Sequence, residues 1–403
     1  MAVERGNFPC FSASDSVNSI YSSDEYNYGV NSMQSDENKP SLRRLQRPRG
    51  ALARQLYDKL LADERLEDFD KSKWYECDLR DMPTHLAERF VQMGLDEETE
   101  AFLDQSRAKS DWIFTQLWHS FARSILGWFM TQTSINGLLG RGSMFVFSKK
   151  QFIQLISGLI LPPYQEACDI KVLERNSCRN RPVDQKFDRL NDDSGAVDSG
   201  GVVLDIGPDL VLNGSLLDLG AGDGGITEII APFFKSVFVT EISPTMKRTL
   251  AKKGFHVLDV SSWYEEDSLR LSIAMCLNLL DRCDTPLTLL STLRDILKRN
   301  AVHNPLLIVA LVLPYSTYVE AGSRQDHKPT ETITINGNTF EEQVASVEKD
   351  LFIPAGFQVL RWTRLPYLCE GDLRQAYYWL SDSVFVLAPI PDLHHSNGGY
   401  KPS

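Results

Sequence analysis

The stretch Ser215-Leu-Leu-Asp218-Leu-Gly220-Ala-Gly222-Asp223-Gly224-Gly225 constrains this chain more than any other. A short apolar run ends in an aspartate and breaks into four glycines within six residues, and a helical pattern opens at Ile226. Strand, tight turn and helix entry in that order build sites for nucleotide-like cofactors. Glycine lets the backbone approach a ligand where a Cβ would collide, and the helix start adds N–H groups without intrahelical partners.

Downstream the pattern alternates regularly. A helix over Gly225–Ala231 is stopped by Pro232, Val237–Thr240 reads as a strand ending at Glu241, and Ser243-Pro244 opens a helix that stops at Gly254. Strands follow at Phe255–Leu258 and Leu271–Leu277, then a helix from Asp284 to Arg299 and a strand over Leu306–Leu313 closed by Pro314. Two more strands are expected at Val359–Thr363 and Val384–Ala388. Strands buried on both faces read as unbroken apolar runs, so the expected class is a doubly wound α/β sheet with mostly parallel strands.

Gly220-Ala-Gly222-Asp-Gly-Gly225 satisfies the dinucleotide pattern G-x-G-x-x-G, and Glu241 stands where a carboxylate binds both ribose hydroxyls. Charge argues against a dinucleotide. Asp218 and Asp223 flank the turn where a pyrophosphate would lie, and each would repel it by ~4 kcal/mol at ~4 Å with an effective dielectric of about 20. S-adenosylmethionine reverses the sign, because it carries an ammonium and a cationic sulfur. In open α/β sheets the ligand lies beyond the carboxyl ends of the strands, where strand order reverses. The first and fourth strands meet there, which puts a methyl acceptor near Asn278 and Asp281, just after Leu271–Leu277. Cys283 has no neighbouring base in sequence to activate it and reads as a packing thiol.

The rest of the chain sets bounds. A net charge of -12 argues against a general binder of nucleic acid or membrane surfaces. Seven scattered cysteines without C-x-x-C spacing read as reduced thiols, with no metal site. No apolar run approaches the ~18–20 residues of a spanning helix, and no secretory signal is readable, so the default is a cytoplasmic protein. Residues 1–40 are Ser-, Asp- and Asn-rich and expected to be disordered, followed by a basic cluster from Arg43 to Arg54. Ser110 is a candidate N-cap for an amphipathic helix reaching Thr131, with His119 beside its apolar stripe. The glycine-punctuated stretch from Thr133 to Met144 reads either as a loop closing over a ligand, with Arg141 reaching an anionic group, or as an ordinary turn.

Five stretches resemble the DREV family of methyltransferases: TSINGLLGRGSMFVFS (133–148), LLDLGAGDG (216–224), CLNLLDRCDTPLTLL (276–290), ALVLPY (310–315) and TRLPYLCEGD (363–372). The resemblance implies a seven-stranded, Rossmann-like S-adenosylmethionine-dependent methyltransferase sheet, with the preceding helical segment packed over the cofactor cleft. It implies protein-histidine N-pros-methylation on protein substrates bearing His-x-His with a small middle residue. Matched motif by motif, Asp218, Gly220, Gly222, Glu241, Asn278 and Tyr367 would hold the cofactor, and Asn278 and Asp281 would serve catalysis, Asp281 contacting the target imidazole. The family also leaves the endoplasmic reticulum or mitochondrion open as compartments, and a monomer is expected.

The expected organisation is a disordered region over residues 1–70, a helical segment over 71–157, a flexible insertion over 158–213, the methyltransferase domain over 214–390 and a disordered tail over 391–403. Two alternatives remain open: a non-catalytic binding protein on the same fold, and an NAD-dependent oxidoreductase.

Overall fold

In the computed structural model, which describes residues 48–112, 139, 142–159, 212–319 and 328–391, eight strands form one sheet. In chain order they are β1 (Met144–Phe145), β2 (Leu212–Leu219), β3 (Phe234–Thr240), β4 (His256–Leu258), β5 (Leu271–Leu277), β6 (Ala301–Val312), β7 (Phe357–Glu370) and β8 (Tyr377–Pro389). Across the sheet the order is β1-β7-β8-β6-β5-β2-β3-β4. The five strands from β6 to β4 are parallel, β8 is antiparallel to both its neighbours, and β1 is antiparallel to β7. Strands β2 to β8 are the seven the fold class requires. The eighth, β1, is a two-residue edge strand.

Seven α-helices longer than four residues are described: α1 (Ala51–Asp68), α2 (Glu97–Asp111), α3 (Lys149–Ile156), α4 (Gly225–Ile230), α5 (Pro244–Lys252), α6 (Pro286–Asn300) and α7 (Phe340–Ser346). None of the described helices is long and apolar enough to cross a membrane.

Strand β5 shows why the sheet reads as apolar runs. Ile273, Met275 and Leu277 join the core on one face, Ala274 and Cys276 join the core on the other, and every residue of the strand is buried. Successive side chains point to opposite faces, so a strand covered on both sides needs no polar alternation. Each large aliphatic side chain so buried contributes roughly 1.5–3 kcal/mol. The chain leaves β2 toward β3 on one side and β5 toward β6 on the other, so strand order reverses between the adjacent β2 and β5.

Several local expectations need correction. The last two strands are 14 and 13 residues long and pair along their whole length, well beyond 359–363 and 384–388. Arg361, Arg364 and Pro366 interrupt the apolar pattern of β7, yet cross-strand pairing carries the strand through them. Strand β6 starts at Ala301, five residues early, with a register shift before Leu306 and Asn304 at φ 35°. Ser110 is not an N-cap. It lies in the last turn of α2, whose start is capped by Asp96 accepting from Thr99 N–H, with Glu97, Glu98 and Glu100 in the first turn. The remainder of the helix expected to reach Thr131 lies outside the described residues, as do His119, Arg141, Arg43 and most of the expected insertion.

Residues 51–68 were expected within a disordered region and are instead the 18-residue helix α1. Its Ala-, Leu- and Arg-rich composition favours helix, and a tertiary contact anchors it. Lys59 is 5% exposed and donates to Asp63 at 2.6 Å and to Asp111 of α2 at 2.9 Å.

The segment before β2 packs on the β7–β8 half of the sheet. Trp362 Nε1 donates to Leu86 O at 2.8 Å, and Trp362 exchanges backbone hydrogen bonds with Arg89 and Val91. Helix α3 opens with a capping box between Ser148 and Gln151, and its Phe152 stacks on Phe233 with ring centroids 5.6 Å apart.

Candidate active site

A cleft lies beyond the carboxyl ends of β2 and β5. Strand β2 and its turn contribute Asp218, Gly220, Gly222 and Asp223; the end of β5 contributes Leu277 and the turn after it Asn278; β7 contributes Tyr367; the segment around β1 contributes Gly142, Met144 and Val146. The turn needs its glycines: Gly220, Gly222 and Gly224 have φ of 73°, 58° and 74°, in the left-handed region. Gly220 N–H donates to Thr240 O at 3.0 Å, which holds the turn against the end of β3.

Acceptors dominate this turn. Asp218 is 2% exposed and accepts from Thr227 Oγ1 at 2.6 Å. Burial, with Glu241 nearby, pushes its carboxyl up to about 7, so it is only partly ionised at neutral pH. By residue type alone Asp218 counts as a full anion; a cationic ligand would restore that charge. Asp223 accepts from Gly225 N–H at 2.9 Å and from Ser143 Oγ at 2.9 Å. Glu241 accepts from Ile242 N–H at 2.8 Å and Ser243 N–H at 2.9 Å through one oxygen, and from Gly222 N–H at 3.0 Å through the other. It is 1% exposed, and burial raises its carboxyl above the usual range.

Beyond β5 the backbone turns at Asn278, which takes φ 50°. Asparagine tolerates that region better than most residues, so its identity serves the turn as well as any ligand. Its N–H donates to Ala310 O at 2.9 Å, and its Nδ2 donates to Asp382 Oδ2 at 2.8 Å. Its Oδ1 is buried with no partner. Three residues on, Asp281 pairs through Oδ2 with Arg282 Nη2 at 3.1 Å, while its Oδ1 is also buried and unpartnered. Burial raises the Asp281 carboxyl, and Arg282 opposes that rise. Tyr367 is 2% exposed, and its hydroxyl donates to Met144 Sδ.

Of the residues singled out from sequence, Asp218, Gly220, Gly222, Asn278 and Tyr367 therefore meet on one cleft. Glu241 and Asp281 are not among its lining residues: Glu241 is tied back to the turn, and Asp281 sits within the buried polar cluster beside it. Ser143, Arg282 and Asp382 were missed. The one charged residue of the Tyr377–Pro389 strand, just ahead of the apolar run from Val384 to Leu387, was the available signal for Asp382.

Acceptors without partners and carboxylates around the glycine turn fit a ligand rich in N–H and positive charge. A pyrophosphate would have to share the turn with Asp218, Asp223 and Glu241. The sequence pattern of the DREV methyltransferases matches residues 74–174 and 208–389, well over half of the chain. The chain belongs to the DREV methyltransferase family. With this strand order and family, it is an S-adenosylmethionine-dependent methyltransferase. Among solved structures it is similar to a putative RNA methyltransferase from Pyrococcus horikoshii, at 12% identity over 45% of this chain and 77% of that one, with a TM-score of 0.30. It is also similar to a putative type 11 methyltransferase from Sulfolobus solfataricus, at 14% identity over 46% and 88%, with a TM-score of 0.28. At such scores these likenesses carry no conclusion about substrate.

Proposed function

We propose that this methyltransferase transfers a methyl group to the pros nitrogen of histidine in protein His-x-His motifs with a small middle residue. The observation that carries the reading is the pair of buried, unpartnered acceptors, Asn278 Oδ1 and Asp281 Oδ1, in the turn after β5. Buried acceptors without donors cost stability, and a ligand bearing N–H groups relieves that cost.

Asp218, Gly220, Gly222, Glu241, Asn278 and Tyr367 would hold S-adenosylmethionine, which when bound supplies an electrophilic sulfonium methyl. The remaining work is positioning. A neutral imidazole carries one N–H and one lone-pair nitrogen, and its hydrogen bonds decide which is which. Asp281 Oδ1 accepts from the tele N–H, which leaves the lone pair on the pros nitrogen. Arg282 holds the other carboxylate oxygen and fixes the carboxyl plane. Histidine with an ordinary pKa of ~6.5 is largely neutral above pH 7, so no strong base is needed. The methylated ring is an imidazolium until it loses its tele proton, and the acidic surroundings favour that charge as it forms.

The test is incubation with methyl-labelled S-adenosylmethionine and a His-Ala-His peptide. Label on the pros nitrogen is expected. Protein that binds S-adenosylhomocysteine but labels no histidine peptide, or labels the tele nitrogen, rules the reading out.

A further inference from the structure

We propose that Asp382 is a positioning residue: its carboxylate holds the Asn278 carboxamide by the nitrogen, so that Asn278 meets the cleft as an acceptor and the site takes a ligand N–H there. The inference rests on reading the cleft as the cofactor and acceptor site.

Asp382 lies on β8, two strands away from β5, opposite Val312 of β6 and Leu365 of β7. It is completely buried in a sheet interior that is otherwise apolar on this strand from Val384 to Leu387. Burying a carboxyl there is costly, and packing alone would be better served by an apolar side chain. The backbone N–H groups of Leu311 and Ser383 lie against this carboxyl, and its side-chain partner is the one cleft residue whose orientation is ambiguous by shape. A carboxamide has nearly identical ends, and only its hydrogen bonds decide which end faces which way. The Asp382 carboxyl accepts from Nδ2 through Oδ2, and once ionised, above the value of about 8 to which burial raises it, it is acceptor-only and excludes Oδ1 altogether. Asn278 Nδ2 stands 2.8 Å from Asp382 Oδ2, and Asn278 Oδ1 is left without a partner.

The Asn278 backbone is held independently, through its N–H to Ala310 and its φ of 50°, so the side chain's polarity is the one remaining freedom. Asp382 removes it. Two ligand N–H groups fit the acceptor: the methionine ammonium of the cofactor and the N–H of a neutral imidazole.

A charge swap tests this. Asp382→Asn keeps the shape and lets the amide turn; at pH 9, where the parent Asp382 is ionised, it should lose about tenfold in S-adenosylhomocysteine affinity, or in kcat/KM for a His-Ala-His peptide at saturating S-adenosylmethionine. Asn278→Asp sets two buried carboxylates against each other and should lose more. In the double variant Asn278→Asp/Asp382→Asn the new amide donates to the new carboxylate, which keeps an acceptor toward the cleft; it should exceed both single variants. A loss in the calorimetric arm assigns the cofactor ammonium as donor, and a loss only in the kinetic arm assigns the imidazole. Asp382→Asn indistinguishable from the parent in both arms overturns the proposal, as does a double variant no better than Asn278→Asp. If the parent binds S-adenosylhomocysteine but labels no peptide, the histidine reading fails and the calorimetric arm still decides the role of Asp382.

Discussion

Ser143 donates from Oγ to Oδ2 of Asp223 across 2.9 Å, tying the segment before β1 to the glycine turn. Gly142 N–H, one residue earlier, donates to the buried Glu370 at 3.1 Å, and Lys109 of α2 pairs with the same carboxylate. The wall of the cleft opposite β2 thus joins these polar contacts to the core residues Phe145, Val146 and Phe147 that follow. Ser143→Ala should weaken S-adenosylhomocysteine binding by about two- to tenfold, the worth of one net hydrogen bond, with little change in thermal stability. Isothermal titration of the two proteins measures this.

Asp281→Ala separates binding from chemistry. Asp281 sits outside the cleft lining, so cofactor affinity should stay within about threefold, while histidine labelling should fall by about 100-fold or more, as expected when orientation of a nucleophile is lost. Equal losses in both would mean that Asp281 supports the cleft as a whole.

Cofactor affinity should depend on pH through Asp218. Its carboxyl stands at about 7 because of burial and Glu241, and a cationic ligand favours the ionised form. Binding therefore releases a proton below that value. Affinity for S-adenosylmethionine should rise as pH climbs through about 7 and level off above it, and Asp218→Asn should flatten the curve. Titrations in buffers of different ionisation heat count the protons.

The ligand-free protein should be less stable at mildly alkaline than at mildly acidic pH as far as these carboxyls determine it. Burial holds Asp218 at about 7 and Asp382 at about 8, whereas both titrate near 4 when unfolded. Between those values the folded state binds protons that the unfolded chain has released, so their contribution to stability declines as pH rises from about 4 to 8. Asp382→Asn should raise the Tm far more at pH 8.5 than at pH 5, and leave it nearly unchanged below pH 4. A pH series of thermal melts reads this directly.

Gly224→Ala should destabilise the fold by roughly 1–3 kcal/mol, from the strain of a side chain in the left-handed region. Gly224 takes φ 74°, and a Cβ there would lie 2.6 Å from Leu250 Cδ2 and 3.2 Å from Phe255. Denaturant unfolding measures the difference.

The sheet was legible because its strands are buried on both faces, which writes each of them as an apolar run between turn residues. β5 was read to the residue, and α5 was announced by Ser243-Pro244. The long β7–β8 hairpin was only partly legible, since Arg361, Arg364 and Pro366 mask a strand held by its neighbour. Helix α1 was missed because a polar, weakly patterned stretch is fixed by Lys59 between two aspartates, one of them over fifty residues away in sequence.

From sequence alone came the glycine turn, the family resemblance, and the residues that gather at the carboxyl ends of β2 and β5. Those are local matters: backbone sterics dictate the glycines, and periodicity dictates the strands. Only the tertiary structure decided how the site's polar atoms are shared. It tied Glu241 back to the turn, set Asp281 against Arg282, and brought Asp382 from β8 to the Asn278 amide. A hydrogen bond between residues 104 apart leaves no trace in local pattern, and burial, which raises the carboxyls of Asp218 and Asp382, exists only once the sheet has closed over them.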